Sequence, residues 1–122
     1  MSNKKILIIE DEPDAVSILK MRLERNGFDV VSSIDGKEGF EKARAVTPDL
    51  ILLDLMLPKV DGYWVCNMLK SDKRFKDIPI IILSAKSAGS DIEVAKECGA
   101  DGYIVKPFEF EELLSKIKKL ME

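Results

Sequence analysis

Histidine is absent from this chain, and its two cysteines, Cys66 and Cys98, are not in CxxC spacing. A zinc site built from cysteine and histidine is therefore excluded. Two reduced cysteines packed in helices are the expected state, because free cysteine is usually buried. No apolar run approaches the roughly 18 residues that a membrane-spanning helix needs. No GxxxxGK(S/T) phosphate loop is present either, so a bound nucleotide is not expected.

Size and charge narrow the class of protein further. A length of 122 residues predicts one domain, residues 1–122, with a single core. The net charge of −3 gives no basic surface typical of nucleic-acid binding. The N-terminal MSNKKILIIED is not expected to be a signal peptide, because its apolar run is short and is followed at once by acidic residues. A cytoplasmic location is the default expectation.

Five short apolar runs predict strands, near residues 5–9, 29–32, 50–54, 80–84 and 102–105. Continuous Val, Ile and Leu runs are typical of strands buried on both faces of a parallel sheet. Four helical patterns separate the runs and a fifth closes the chain. The alternation predicts a doubly wound (βα)5 fold with a five-stranded parallel sheet and right-handed crossovers. The expected strand order is 2-1-3-4-5, with a switch point between the first and third strands.

Local signals predict where the helices begin and end. Pro13 suits a first helical turn, and Asn26-Gly27 ends that helix. Asp35 and Asp61 are predicted caps of the second and third helices. A short fourth helix is expected at 90–98, and a fifth from Glu109. The first helix is expected to turn an apolar stripe inward, formed by Ala15, Ile18, Leu19 and Leu23.

Polar residues follow four of the predicted strands: Glu10 and Asp11, Asp54, Ser84, and Lys106. The carboxyl ends of parallel strands meet at one edge, where such sheets bind ligands. Taken singly, these residues could be helix caps, a turn hydroxyl or an ion pair of Asp54 with Lys106. Together, three carboxylates would repel one another unless a cation such as Mg²⁺ lay between them. These residues therefore predict a site that binds a divalent cation and a phosphoryl group, and the phosphoryl group would come from another molecule.

Four segments in this order, IEDEPD, LLDLMLPKVDG, LSA and GADGYIVKPF, resemble the receiver domain of two-component response regulators. The resemblance covers about residues 4–121 and implies a flavodoxin-like fold. It implies that Asp54 is the phospho-acceptor, taking a phosphoryl group from the phosphohistidine of a sensor kinase or phosphotransfer protein. Asp11 would bind Mg²⁺ directly and Glu10 through water. Asp54 and the backbone carbonyl of Met56 would complete the protein ligands.

The resemblance also implies roles around the phosphoryl group. Ser84 would donate a hydrogen bond to one of its oxygens, and Lys106 would pair with another. The Lys106–Pro107 peptide would be cis. Tyr103 would be the switch aromatic, moving inward with Ser84 and changing the surface of the fourth helix, fifth strand and fifth helix.

Two positions that flank the path of the hydrolytic water in this family are Met56 and Lys86 here. Neither can act as a general base, which predicts slow loss of the phosphoryl group. Glu10 and Ser84 replace the more frequent Asp and Thr. Gly102 replaces an Asp that helps to pair receivers in the winged-helix branch, so a monomer and a phosphorylation-dependent dimer both stay open. Trp64, in the third helix, is expected in the core, with an exposed aromatic as the alternative.

Several functions share parts of this pattern. A phosphorylation-controlled switch, regulatory rather than enzymatic, is the leading hypothesis, with a downstream protein or a missing output domain as its target. A hydrolase of the haloacid-dehalogenase type would need an acid at position 56, which is Met. A phosphate-independent scaffold would not need the complete set of site residues. A receiver belonging to a larger regulator would share the mechanism and differ in output.

Overall fold

A computed structural model describes residues 3–55, 61–84, 93 and 96–121 of the chain. Its strands are β1 (Lys5–Ile9), β2 (Asp29–Ser33), β3 (Leu50–Asp54), β4 (Ile80–Ser84) and β5 (Gly102–Val105). Its helices are α1 (Pro13–Arg25), α2 (Gly36–Val46), α3 (Gly62–Lys70) and α4 (Phe110–Leu120). The helix predicted at 90–98 falls mostly outside the described residues, and α4 corresponds to the fifth predicted helix.

The strands form one parallel sheet in the order β2-β1-β3-β4-β5, as predicted. Ile9 of β1 lies beside Ser33 of β2 and Leu53 of β3. Ser84 of β4 lies beside Val105 of β5. This register brings the carboxyl ends of the strands to one edge, which is the rim of the candidate site.

Apolar side chains on the two faces of the sheet form two core layers. Alternate residues of one strand enter opposite layers, as strand geometry requires: Leu7 and Ile9 point to one side, Ile6 and Ile8 to the other. The first layer packs under α2 and α3, with buried residues that include Ala43, Val65, Cys66 and Leu69. The second packs under α1 and α4, with buried residues that include Leu19, Leu23, Leu113 and Ile117. Covered on both faces, the sheet is a rigid base for its rim.

The helix ends follow the local signals in the sequence. The Asp35 carboxylate accepts a hydrogen bond from the Glu38 N–H at 2.8 Å, and the Asp61 carboxylate accepts one from the Trp64 N–H at 2.8 Å. Gly27, just past the end of α1, has a φ of 90°, which favours glycine. Asp61 thus fixes the start of α3 close to the end of β3. Among the described residues, no helix has the length and hydropathy that crossing a bilayer requires.

Two expectations about burial were wrong. Ala15 and Ile18 do not face the core, and Ile18 is 58% exposed. Val16 packs against the core layer that contains Leu19 and Leu23, so the inward stripe has the spacing 16, 19, 23, and positions 15 and 18 lie at its edge and outside it. The helical period is compatible with either stripe, and only contact with the sheet selects one.

Trp64 was also expected in the core, but it is 40% exposed. Its ring meets Phe40 edge-on, with 5.2 Å between centroids and 65° between planes. Val65 and Cys66 occupy the inward positions of this turn of α3, which leaves Trp64 at the boundary between α2 and α3. The alternative of an exposed aromatic is therefore correct.

Candidate functional site

Three carboxylates converge at the rim. Glu10 and Asp11 follow β1, and Asp54 ends the neighbouring strand β3. One carboxylate oxygen from each lies within 4.8 Å of the other two. Glu10 and Asp54 are buried, whereas Asp11 is exposed, so the cluster opens to solvent on the side of Asp11. An oxygen-only donor set of this kind suits Mg²⁺.

Lys106 supplies the positive charge next to these acids. Its Nζ lies 2.6 Å from Glu10 Oε1 and 3.2 Å from Asp54 Oδ2. The backbone N–H of Lys106 donates to the carbonyl of Ser84 at 2.7 Å, which ties the end of β5 to β4. The Lys106–Pro107 peptide bond is cis. The contact with Glu10, shorter than the contact with Asp54, was not expected from the sequence.

The rim carries more negative than positive charge. Burial raises the pKa of Glu10, and its hydrogen bond with Asp54 raises it further, outweighing the opposite effect of Lys106. Burial acts to lower the pKa of Lys106, but the hydrogen bond to Glu10 and the charges of Asp54 and Glu10 raise it overall. Lys106 therefore stays protonated at neutral pH. One ammonium group faces three carboxylates, and this deficit of positive charge fits a divalent cation.

Ser84 ends β4, the strand next to Asp54. The residue is 2% exposed, and its hydroxyl has no hydrogen-bond partner among the described residues. A buried polar group without a partner costs about 1–3 kcal/mol, so such groups need a specific reason. A ligand oxygen bound at the rim would supply the missing partner.

Gly62 is a positioning residue that the sequence analysis missed. A Cβ at this position would lie 2.3 Å from the backbone oxygen of Asp54 and 2.8 Å from Leu55 Cα. The Gly62 N–H donates to the Leu55 carbonyl at 3.1 Å. Only glycine lets α3 start this close to the end of β3. The Asp-Gly pair at 61–62 was the available signal, but a helix cap alone was inferred from it.

The remaining predicted site residues lie apart from the carboxylates or outside the described part. Tyr103, on β5 beside Ile82 of β4, is half-buried and packs against the layer under α2 and α3. Met56 and Lys86 lie outside the described residues. The structure therefore brings together Glu10, Asp11, Asp54 and Lys106, with Ser84 on the adjacent strand end.

A groove of about 780 Å³ opens beside the rim. Its walls come from α1 and from the segment between Lys106 and α4. Ile18 and Phe108 contribute apolar surface. Glu10 and Lys106, which belong to the rim, also line the groove. The exposed Ile18 thus belongs to a concave surface that continues into the site.

Comparison with known proteins identifies the family. The sequence model described as "Response regulator receiver domain" matches residues 6–118. The chain is 44% identical over 119 residues to the alkaline phosphatase synthesis transcriptional regulatory protein PhoP of Bacillus subtilis. That match covers 98% of this chain and 49% of PhoP, so the chain spans about half the length of this curated relative. The chain belongs to the receiver domains of two-component response regulators, which act in phosphorylation-dependent signalling.

Solved structures agree with this assignment. A putative response regulator from Chloroflexus aurantiacus superposes with a TM-score of 0.94 at 29% identity, covering 98% of both chains. The receiver domain of a sensor histidine kinase from Pseudomonas aeruginosa superposes with a TM-score of 0.90 at 28% identity, again covering 98% of both. That second structure holds a magnesium ion coordinated in its active-site cleft. A receiver domain is regulatory rather than an enzyme in the usual sense.

Proposed function

We propose that this chain is a single receiver domain, residues 1–122, that works as a phosphorylation-controlled switch with Asp54 as its phospho-acceptor. The observation that carries the proposal is the position of the Asp54 carboxylate, at a rigid strand end, 3.2 Å from the Lys106 ammonium and beside two further acids. The buried hydroxyl of Ser84 on the next strand, which has no hydrogen-bond partner among the described residues, supports it.

In the proposed reaction, a carboxylate oxygen of Asp54 attacks the phosphorus of a phosphohistidine. The P–N bond breaks as the new P–O bond forms, and the imidazole leaves with the electron pair of the broken bond. The product is an acyl phosphate on Asp54. Catalysis of such a transfer consists mainly of positioning and charge neutralisation, because the transferred group needs little covalent help from the protein.

The other residues of the rim divide this work. Lys106 forms an ion pair with the transferred group. Its ammonium group then contacts a phosphoryl oxygen in place of the carboxylates that it contacts now. Ser84 donates its hydroxyl hydrogen to another oxygen. Glu10, Asp11 and Asp54, with the backbone carbonyl of Met56, would hold Mg²⁺. When bound, Mg²⁺ neutralises negative charge on the acids and on the phosphoryl group.

The switch would pass from Ser84 to β5. The Ser84 carbonyl accepts the Lys106 N–H at 2.7 Å, so a shift of Ser84 pulls on the end of β5. Tyr103 lies three residues earlier on that strand and is half-buried, so it can turn further into the core layer. We propose that this changes the surface formed by the predicted helix at 90–98, β5 and α4.

The groove between α1 and the segment before α4 is where the protein that donates the phosphoryl group would dock. The groove is lined mostly by apolar residues and also by Lys106, which contacts Asp54, so an apolar helix lying in it would bring its phosphohistidine to Asp54. Ile18→Lys should slow transfer from a sensor kinase that phosphorylates the chain in vitro. The same variant should take up phosphate from acetyl phosphate at the normal rate. An equal fall with both donors would contradict docking at this surface.

The downstream partner would be a separate protein or an output domain. The curated relative PhoP is a transcriptional regulatory protein of about twice this length. We propose that this receiver likewise controls an output outside these residues, which themselves bind no nucleic acid. A monomer and a phosphorylation-dependent dimer are both compatible with this role.

The phosphorylated state should decay slowly, over minutes or longer. Met56 is apolar and Lys86 is cationic, so neither orients a water and accepts its proton. Replacing Met56 with Asn and Lys86 with Gln should speed the release of phosphate after the donor is removed. A wild-type lifetime of seconds that the double variant does not change would contradict control by these positions.

Intact mass spectrometry after incubation with acetyl phosphate tests the proposed function. The wild-type chain should gain one phosphate when Mg²⁺ is present and none when it is chelated. Asp54→Asn should abolish the gain. Asp61→Asn is the matched control, because it removes a neighbouring carboxylate while asparagine still caps α3. Equal uptake by the Asp54 variant would reject this acceptor.

A further inference from the structure

Two thiols outside the rim lie against each other in the core layer under α2 and α3. Cys66 is in the middle of α3 and fully buried, and Cys98 comes just before β5 and is 2% exposed. The Cys66 thiol donates a hydrogen bond to the Cys98 carbonyl at 3.5 Å. The two cysteines are not joined in a disulfide. The phosphoryl-transfer proposal uses neither of them.

The two thiols differ in acidity because of how they face each other. When the Cys66 S–H turns from the Cys98 carbonyl to the Cys98 sulfur, this hydrogen bond lowers the pKa of Cys98 to about 7 against the opposing effect of burial, and the Ala100 N–H and the charge of Lys70 lower it as well. The hydrogen bond between the two side chains and burial raise the pKa of Cys66, and the charge of Asp101 adds to this. A thiolate is the nucleophilic form of cysteine, so Cys98 is the more reactive of the two.

Access also favours Cys98. It lies in a turn whose neighbours Lys96, Glu97 and Gly99 are exposed, whereas Cys66 is held inside a helix. Cys98 is itself only 2% exposed, so peroxide reaches its sulfur only when this turn opens locally. Local opening of a surface turn requires less free energy than global unfolding.

We propose that Cys66 and Cys98 are a peroxide-sensitive pair that closes into a reversible disulfide. In the first step the Cys98 thiolate attacks one oxygen of hydrogen peroxide. The O–O bond breaks, and the released hydroxide takes a proton to form water, leaving a sulfenic acid on Cys98. In the second step the Cys66 thiol attacks that sulfur, and the hydroxyl group leaves with the Cys66 proton as water. The pair loses two electrons and two protons, which together are two hydrogen atoms, and peroxide is reduced to two waters.

The disulfide would join α3 to the turn that leads into β5. Tyr103 lies on β5, so the link would limit movement of the strand through which the proposed switch passes. The oxidation itself is independent of Asp54 and of phosphorylation. Failure of one proposal therefore leaves the other standing.

The test is peroxide treatment of the folded chain, followed by non-reducing intact mass spectrometry and peptide mapping. The wild type should lose the mass of two hydrogen atoms, link the peptides that carry Cys66 and Cys98, and recover its mass with a thiol reductant. Asp54→Asn should form the same link at the same rate. Oxygen added at methionine without a link would overturn the proposal, as would a link that forms only in denaturant.

Single variants distinguish the two roles. In Cys66→Ser the Cys98 sulfenic acid cannot be resolved, so it should react with dimedone and give a dimedone adduct at position 98. In Cys98→Ser the remaining Cys66 should be slower to oxidise by at least ten-fold. Circular dichroism checks that both variants are folded. If either is not, peptide mapping of the wild type still decides whether Cys66 and Cys98 form the disulfide. Equal reactivity of the two thiols would contradict the assigned roles.

Discussion

Two lysines, at opposite ends of the sheet, make ion pairs of nearly equal length in very different surroundings. Lys70, at the end of α3, lies 2.7 Å from Asp101 and also donates to the carbonyls of Lys76 and Ile78 at 2.9 and 2.8 Å. Its three N–H donors thus have three acceptors. Lys106, at the rim, lies 2.6 Å from the carboxylate of Glu10 and 3.2 Å from that of Asp54. The distances alone do not distinguish the two sites.

The two sites differ in whether the charges and hydrogen-bonding groups around the lysine are matched. At the Lys70 end the Asp101 carboxylate also accepts the Ile80 N–H at 2.9 Å, so acids and donors are matched. At the rim a third carboxylate, that of Asp11, adds to the negative charge, and the buried Ser84 hydroxyl has no partner in the described part. The Lys70 end is therefore a closed structural connection, whereas the rim is arranged to accept a cation and an anion.

The largest effect on stability is expected at Gly62. Gly62→Ala places a Cβ against the backbone of Asp54 and Leu55, which cannot yield as a flexible side chain can. Unfolding free energy should fall by about 3 kcal/mol, the upper range for overpacking, and phosphoryl uptake should fall with it. Gly102→Ala is the control, because its Cβ would meet only side-chain atoms at 3.9 Å. Urea unfolding of both variants measures the difference, and equal stability would contradict the close approach at position 62.

The second prediction compares variants of the two lysines, beginning with Lys70. Lys70→Met leaves Asp101 and two carbonyls without their cation, which should cost about 2 kcal/mol after allowance for the 35% exposure of the Asp101 side chain. Phosphoryl uptake from acetyl phosphate, measured below the unfolding transition, should be unchanged. A loss of uptake in the folded variant would mean that the Lys70 end is not purely structural.

Lys106→Met should cost similar stability but reduce uptake strongly. The variant leaves Glu10 and Asp54, whose side chains are 4% and 10% exposed, without their ammonium group, and the 35% exposure of Lys106 itself keeps the loss of stability to about 2 kcal/mol. Uptake should fall by about ten-fold to a hundred-fold, because the charge that neutralises the transferred group is gone. Intact mass spectrometry measures uptake directly. Normal uptake in this variant would remove Lys106 from the site.

Asp11→Asn should have the smallest effect on folding. Asp11 is exposed, and its loss relieves repulsion among the three acids, so metal-free stability should stay the same or rise slightly. Mg²⁺ affinity, measured by calorimetric titration, should fall at least ten-fold. Unchanged affinity, together with a loss of metal-free stability, would contradict a metal-binding role for Asp11.

Strand positions and strand order could be predicted from the sequence because buried parallel strands are apolar throughout and their connections follow strong topological preferences. The convergence of Glu10, Asp11, Asp54 and Lys106 followed from that order. The orientation of α1 could not be predicted, because stripes through Ile18 and through Val16 both fit a helical period. The packing of Trp64 depended on how far apart α2 and α3 lie.

Three contacts could not be predicted from the sequence. Lys70 and Asp101 are both ordinary surface residue types, and nothing local links them. The choice of Glu10 as the shorter partner of Lys106 depends on side-chain length and on the path of the backbone after β5. The approach of Gly62 to Asp54 depends on the angle at which α3 leaves the rim. Each of these is set by three-dimensional packing rather than by pattern.

The most direct test of the central claim identifies the atom that receives the phosphoryl group. After uptake from acetyl phosphate, sodium borohydride reduces an acyl phosphate of aspartate to homoserine, which peptide sequencing by mass spectrometry locates. Homoserine is expected at position 54 alone, and only when Mg²⁺ was present during uptake. Reduction at position 11, or at any other carboxylate, would contradict the assignment of Asp54 as the phospho-acceptor.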